Sequence, residues 1–461
     1  MLIKHGERRK RIRMKTKSTE DTIFALSTPV GGAIAVIRVS GKLARPVLEK
    51  IFTGGIRHSF LAHGRIHDGE KMLDDAMAVY FEAPHSYTGE DMFELDIHGS
   101  YAVANAVSEC LQKNGLRPAE AGEFTKRAFL AGKMDLVQAD AVMDLINAET
   151  ERAKNAALEQ LKGGLSQRIH NIEESLLNTA SALAAALDYP EETEDDVLST
   201  VPAALDDAIK ELNSLIEAGK HSKLLREGAK LVILGKPNVG KSSLMNFLIS
   251  DDRAIVTPIA GTTRDIIEES LSIRGIPVRL TDTAGIRETT DTVESIGIDR
   301  AMKKAESAEL ILLVFDSSET FSKDDEDLIR KTADRPRLFV VNKLDRDIVG
   351  CDNIKQQLEK IQPDAEIATI SCKTGEGMDA LIEKIAEMLG ISEERGIVTN
   401  QRHIECMENA VKEIENAKTA RFTDVIADCV DSALNCLGEI TGREFSEELL
   451  DRIFERFCVG K

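Results

Sequence analysis

The run Gly235-Lys236-Pro237-Asn238-Val239-Gly240-Lys241-Ser242 fits the pattern G-x-x-x-x-G-K-[ST], whose residue types suit the capture of a polyphosphate. Its glycines let backbone N–H groups turn inward around phosphate oxygens, and a helix starting there adds the positive end of its dipole. Lys241 then reaches the β- and γ-phosphates and the Ser242 hydroxyl ligates Mg²⁺, while Asn238, Val239, Gly240 and Ser243 complete the expected cradle. Taken alone, such a run is also a plain Gly-rich turn, so the later segments decide.

Asp282-Thr283-Ala284-Gly285 supplies an acid for the Mg²⁺ shell and a glycine able to sense a γ-phosphate. Asn342-Lys343-Leu344-Asp345 separates guanine from adenine. Asp345 can accept from both the ring N–H and the exocyclic amine of guanine, whereas adenine leaves the carboxylate unpaired. Ser371-Cys372-Lys373 completes a base pocket. The order of these segments makes the expected ligand GTP. Between them Thr257-Pro258-Ile259-Ala260-Gly261-Thr262-Thr263 reads as a first switch, with Thr263 a second Mg²⁺ ligand. Ile286 stands where a water-orienting glutamine belongs in Ras-like sites, and an isoleucine cannot orient water. Glu294 is a carboxylate within reach by spacing, with a solvated surface charge as its alternative. Charge neutralisation in the transition state stays open between Arg264, Arg287 and a bound cation.

Each motif must be held by an element. Leu231–Leu234, Val278–Leu280, Leu310–Phe315, Leu338–Val341 and Ile367–Ile370 are short apolar runs alternating with helical stretches, the signature of βαβ units around a parallel sheet. The motifs fall at the ends of these runs. Before them, Ile169, Ile172, Leu176, Leu183 and Leu187 recur at helical spacing, with Pro190 to Asp196 expected as a solvated acidic loop; after Val398 the chain reads as helix again. The nucleotide domain is thus expected as an insertion in a discontinuous helical domain, two separate helical domains being the alternative. Toward the amino terminus, strands are expected at Ile23–Leu26, Ala33–Val39, Ala76–Phe81 and Met92–Ile97, and a helix at Tyr101–Leu111.

At 461 residues the chain has room for roughly three domains of ~100–200 residues. No run reaches the ~18–20 apolar residues of a membrane span, and the basic start (Arg8, Arg9, Lys10, Arg11, Arg13) leads into no apolar stretch, so a cytoplasmic protein is expected. Seven scattered cysteines without a C-x-x-C pair suggest neither disulfides nor zinc. The net charge of −20 leaves any nucleic-acid contact to a local patch or to a second protein.

Four further passages resemble the MnmE (TrmE) family of tRNA-modification GTPases: Ala35 to Gly41, Ser86-Tyr87-Thr88-Gly89-Glu90-Asp91, Gly122-Glu123-Phe124-Thr125 running on to Leu136, and Phe457-Cys458-Val459-Gly460-Lys461. The resemblance implies a multidomain α/β protein. An N-terminal α+β folate-binding and dimerisation domain (18–131) follows a basic tail (1–17). A discontinuous helical domain (132–228 and 391–461) then receives an inserted Ras-like P-loop G domain with a mainly parallel sheet (229–390). It further implies a tetrahydrofolate one-carbon donor, 5-formyl or 5,10-methylene, at Arg38, Glu94, Lys133 and Lys461. A K⁺ ion is implied at Asn238, Thr257, Ile259 and Thr262, in a homodimer closing across the G domains. Glu294 becomes the water-activating residue. The implied partner is MnmG (GidA), a flavin- and NADH-dependent protein, and the implied product carries a (carboxymethyl)aminomethyl group at C5 of the tRNA wobble uridine. Cys458 is expected in a helix core rather than in catalysis. A ribosome-assembly GTPase without one-carbon chemistry is the alternative; it needs an RNA-binding module such as KH, whose loop has no suitable context here.

Overall fold

A computed structural model describes residues 21–250, 268–281, 305–391 and 400–460. The chain divides into two units, one running to Ala139 and rejoined by Thr441–Lys461, the other Asp140–Ile440.

The amino-terminal unit is built on six strands: β1 (Ile23–Leu26), β2 (Ile34–Ser40), β3 (Leu61–Asp68), β4 (Lys71–Phe81), β5 (Met92–His98) and β6 (Arg117–Pro118), ordered β3-β4-β5-β2-β1-β6. All neighbours are antiparallel except β1 and β6. Alternation sets the faces: Ala35, Ile37 and Val39 of β2 are fully buried, and Arg38 between them points to the other side. Helices Ala44–Ile51 and Tyr101–Lys113 cover the first face through Leu48, Ile51, Val107 and Leu111. Each such side chain contributes ~1.5–3 kcal/mol on burial. Ser100 caps the second helix, its hydroxyl accepting from the Val103 N–H at 3.2 Å. Strand β3 escaped the sequence reading because its inward residues are Ala62, Gly64 and Ile66, separated by His63 and Arg65. On the second face, helix Glu123–Leu130 sets Phe124 among Ile23, Ala25 and Ala119.

The second unit contains the other sheet: β7 (Ala229–Gly235), β8 (Glu268–Ile273), β9 (Ile276–Thr281), β10 (Leu310–Asp316), β11 (Arg337–Asn342) and β12 (Ile367–Thr369), ordered β12-β11-β10-β7-β9-β8. All pairs are parallel except β8 with β9. β10 is buried at every position, as a strand covered on both faces must be. The five expected strands are present, and β8 is an additional hairpin partner. Elsewhere in this unit helices Gly164–Asp188 and Pro190–Glu227 pack together, and Gln401–Thr419 lies against the latter.

Two expectations fail here. Pro190 to Asp196 is the start of helix Pro190–Glu227, not a loop. Proline suits the first helical position, where its missing N–H has no partner to lose, so Pro190 opens this helix rather than ending the one before. Leu187 is 46% exposed, whereas Ile169, Ile172, Leu176 and Leu183 are buried, so the apolar stripe stops one turn early.

Candidate nucleotide-binding site

The three motifs within the described residues meet at the carboxyl edge of the second sheet. β7 ends at Gly235, β11 at Asn342, and the loop after β12 carries Ser371. Strand order turns around β7, whose neighbours are β9 and β10, and open α/β sheets place ligands at such a reversal. The loop from Gly235 leads into helix Lys241–Ser250, leaving Ser242 and Ser243 exposed at the helix start. The turn needs unusual backbone: Asn238 has φ of 65° and Gly240 of 101°. A Cβ on Gly240 would stand 2.2 Å from Asn342 Nδ2, so only glycine fits there.

That close approach is a bond network. Asn342 donates from Nδ2 to Val239 O at 2.9 Å, and its Oδ1 accepts from the Cys372 N–H at 3.2 Å. Lys343 donates to Asn238 O at 2.7 Å and also pairs with Asp316. The Asp345 carboxylate accepts from the Ser371 hydroxyl at 2.6 Å, a bond that holds its carboxyl below the ordinary value. Asp345 and Lys373 are exposed, free to meet a ligand at the surface. Cys372 contributes its backbone N–H; burial pushes its thiol up to about 11. Lys241 donates to Gly235 O at 2.9 Å and Lys236 O at 2.6 Å.

Two residues absent from the sequence reading belong to this framework. Asp316 ends β10 opposite Asn342, and burial alone would raise its carboxyl, but Lys343 and Ser318 outweigh it and hold the group ionised. The signal was available: Asp316 is the polar residue closing the apolar run Leu310–Phe315. The other is Asp325, partner of Lys236. Thr257, Ile259, Thr262, Thr263, Asp282, Thr283, Ala284, Gly285, Ile286, Glu294 and Lys461 lie outside the described residues, as do Arg264, Arg287 and the tail 1–17.

In the amino-terminal unit, Arg38 and Glu94 sit opposite each other on β2 and β5 and form an ion pair at 2.7 Å. The Arg38 guanidinium lies over the Tyr87 and Phe124 rings, at 5.4 and 5.8 Å, and donates to Gly460 O at 3.3 Å. Beside it is a depression of about 290 Å³ lined by Phe81, His85, Ser86, Tyr87, Met92 and Glu94. Lys133 donates to Pro84 O at 2.8 Å, next to that lining. Most of the Ser86–Asp91 and Gly122–Thr125 passages carries structure. Arg127, 2% exposed, bonds Glu123 at 2.9 Å and Glu90 at 3.1 Å; Ser40 bonds Thr88 and Glu90, each at 2.7 Å; Tyr87 bonds Thr125 at 2.9 Å. Burial would raise the Glu123 carboxyl, yet Arg117, the Glu120 N–H and Arg127 hold it lowered. Cys458 departs from expectation. It is exposed and lies beyond helix Glu447–Phe454, in an extended stretch where Val459 bridges to Ala121. Gly460, with φ of 96°, ends that stretch against Leu26 and Ser27.

Residues 22–133 match the family model described as the GTP-binding protein TrmE N-terminus, and residues 136–458 match the MnmE helical domain. The tRNA modification GTPase MnmE of Natranaerobius thermophilus is 41% identical over 464 residues, spanning 96% of this chain and 100% of that protein. Its counterpart in Aquifex aeolicus is 41% identical over 458 residues, with the same two shares. Among solved structures, Era of Aquifex aeolicus bound to GDP·AlF4⁻ is 27% identical over 42% of this chain and 68% of that one, with a TM-score of 0.30, too loose a superposition to argue from. Two family models across both units, and relatives alike from end to end, place the chain: it belongs to the MnmE (TrmE) family of tRNA modification GTPases.

Proposed function

We propose that this chain hydrolyses GTP and, with an MnmG-type flavin- and NADH-dependent partner, installs a (carboxymethyl)aminomethyl group at C5 of the tRNA wobble uridine from a tetrahydrofolate one-carbon donor. The observation that carries the nucleotide half is the loop Asn342–Asp345. It bonds the phosphate loop at Val239 O and Asn238 O and the base loop at Ser371, so a phosphate cradle and a guanine-reading carboxylate are fixed to one another. Asp345 takes the two guanine donors, and Lys241 exchanges its carbonyl acceptors for phosphate oxygens.

Ser242 and Thr263 would hold Mg²⁺, and Asn238, Thr257, Ile259 and Thr262 would hold K⁺; such cations offset charge on the transferring phosphoryl group. The hydroxyl of Ser242 and the amide of Asn238, both on exposed residues, are oxygen donors of the kind hard cations take. In this reading Glu294 holds the attacking water as base, which leaves Ile286 no role in orienting it. For the folate, the reading assigns Arg38, Glu94, Lys133 and Lys461; Glu94 lines a depression, with its ion-pair partner Arg38 beside it, whose aromatic and carboxylate lining suits a flat heteroaromatic donor ring. The protein acts as a homodimer in the cytoplasm.

Turnover of GTP and of ATP by the full chain, with Mg²⁺ and either K⁺ or Na⁺, tests the reading. GTP is expected to be the substrate, with at least about tenfold faster hydrolysis in K⁺, the size of a modest electrostatic contribution. Equal use of ATP sinks the base assignment, and indifference to the cation sinks the K⁺ site. Mass spectrometry of wobble uridine in cells lacking the gene reads the tRNA role.

A further inference from the structure

The phosphate loop is anchored at both ends, and the second anchor has no place in the motif. At its far end the loop is fixed through Val239 O and Asn238 O by Asn342 and Lys343. At its near end the Lys236 ammonium lies 2.7 Å from Asp325 Oδ2 and 3.0 Å from Ser322 Oγ. Asp325 is a built acceptor. Its side chain is 4% exposed, and the same Oδ2 accepts the Ser322 N–H at 2.8 Å and the Ser322 hydroxyl at 2.9 Å, closing the capping box of helix Lys323–Lys331. The backbone of Lys236 is also engaged, since its carbonyl takes Lys241 Nζ at 2.6 Å.

We propose that Lys236 is a positioning residue for nucleotide binding: its ion pair with Asp325 fixes the start of the phosphate loop and thereby the carbonyl on which the Lys241 ammonium rests. The assignment rests on the reading of residues 235–242 as the phosphate site. The physical reason is conformational entropy. A loop containing Gly235, Gly240 and a left-handed Asn238 has many alternatives, and each residue left to be ordered by the ligand subtracts its conformational entropy from binding. Asp325, held by a helix cap, carries that ordering in the fold itself. Pro237, with its restricted φ, lies between the two anchors and limits how far a loosened start could be compensated.

The test uses the full chain and fluorescent GDP and GTP analogues, titrated well below the unfolding transition. Lys236→Ala is expected to weaken both nucleotides about tenfold, Asp325→Asn comparably, and the double variant no more than the worse single one, because both remove one interaction. Lys236→Arg, which keeps the charge and donors, is expected to stay within about threefold of wild type. Lys384→Ala, which removes a surface pair with Glu366, serves as the control with unchanged affinity. A merely structural role would lower the fraction of binding-competent protein while leaving the dissociation constant unmoved. That outcome, or equal affinity in Lys236→Ala beside a wild type that binds, overturns the assignment alone. A wild type that binds neither nucleotide overturns the site reading together with it.

Discussion

At the scale of single residues, the proposed choice of base rests on Asp345. Its carboxylate is oriented by Ser371 and otherwise open to solvent, so its energy is realised only when two donors of a purine face it. Xanthine carries a carbonyl where guanine carries its amine, and an amide side chain can donate to it. Asp345→Asn is therefore expected to weaken GTP by about 100-fold or more and to improve binding of the xanthine nucleotide, since a site built for hydrogen bonds rejects a mismatched partner strongly. Competition between the two nucleotides for the variant checks this; unchanged preference for GTP removes Asp345 from the base pocket. Glycine is constrained equally sharply at position 240, where the Asn342 amide occupies the space a Cβ would need.

At the scale of elements, the amino-terminal unit depends on a charged core. Helix Glu123–Leu130 presents Glu123 and Arg127 one turn apart, both buried, and Arg127 reaches across to Glu90. Removing one member of a buried pair leaves the other desolvated and uncompensated, at a cost of ~3–5 kcal/mol. Arg127→Met is expected to lower the stability of this unit by that order, seen as an earlier urea transition in tyrosine fluorescence or circular dichroism. By contrast Arg45→Ala, at a solvent-exposed pair with Glu49, should produce no measurable change. Equal responses from the two variants would mean that Arg127 is hydrated in solution. Gly122 sits at the same junction: its φ of 64° and the Phe454 carbonyl 2.7 Å from a notional Cβ join the Gly122–Thr125 passage to the terminal helix Glu447–Phe454.

At the scale of the whole molecule, a partly buried polar cluster around the buried His403 sits in the second unit where the chain leaves its helices for the nucleotide sheet and where it returns. Asp140 bonds Asn400, Arg402 and His403, at 2.7, 2.9 and 3.2 Å, and Asp144, one turn on, lies 3.8 Å from Arg226, two residues before Gly228. His403 accepts the Asn400 N–H at Nδ1, and its Nε2 lies 3.2 Å from Asp140 and 2.8 Å from the Arg402 guanidinium. Burial pushes its pKa down from 6.5 to about 4, so stability falls as pH drops through that window, because only the unfolded chain takes up the proton. Asp144 acts oppositely. Burial raises its carboxyl from 3.8 to about 6, so the folded chain binds the proton first and gains stability over the same descent. The two slopes oppose each other. Asp144→Asn removes one, and the urea midpoint should then fall more steeply between about pH 6 and pH 4.5 than in wild type. Parallel slopes would mean that Asp144 stays ionised in the folded protein.

Sequence by itself determined the chemistry that is local. The phosphate loop, the Asn342–Asp345 segment and the strands beneath them were legible because each motif lies within a few residues of the apolar run that positions it, and period and spacing are properties of contiguous chain. The family passages were legible as signatures but not as structure. Only the tertiary arrangement brought Glu90 to Arg127, paired Arg38 with Glu94, and tied Lys236 to Asp325, partners that lie far apart along the chain. Residues 190–196 were misread because acidic composition favours a solvated loop and equally suits the first turns of a helix, where negative charge meets the positive dipole end. Cys458 was misread for a related reason: the residues preceding it form a helix, and its end is set by how Val459 and Gly460 meet Ala121, Leu26 and Ser27, contacts that no local pattern records.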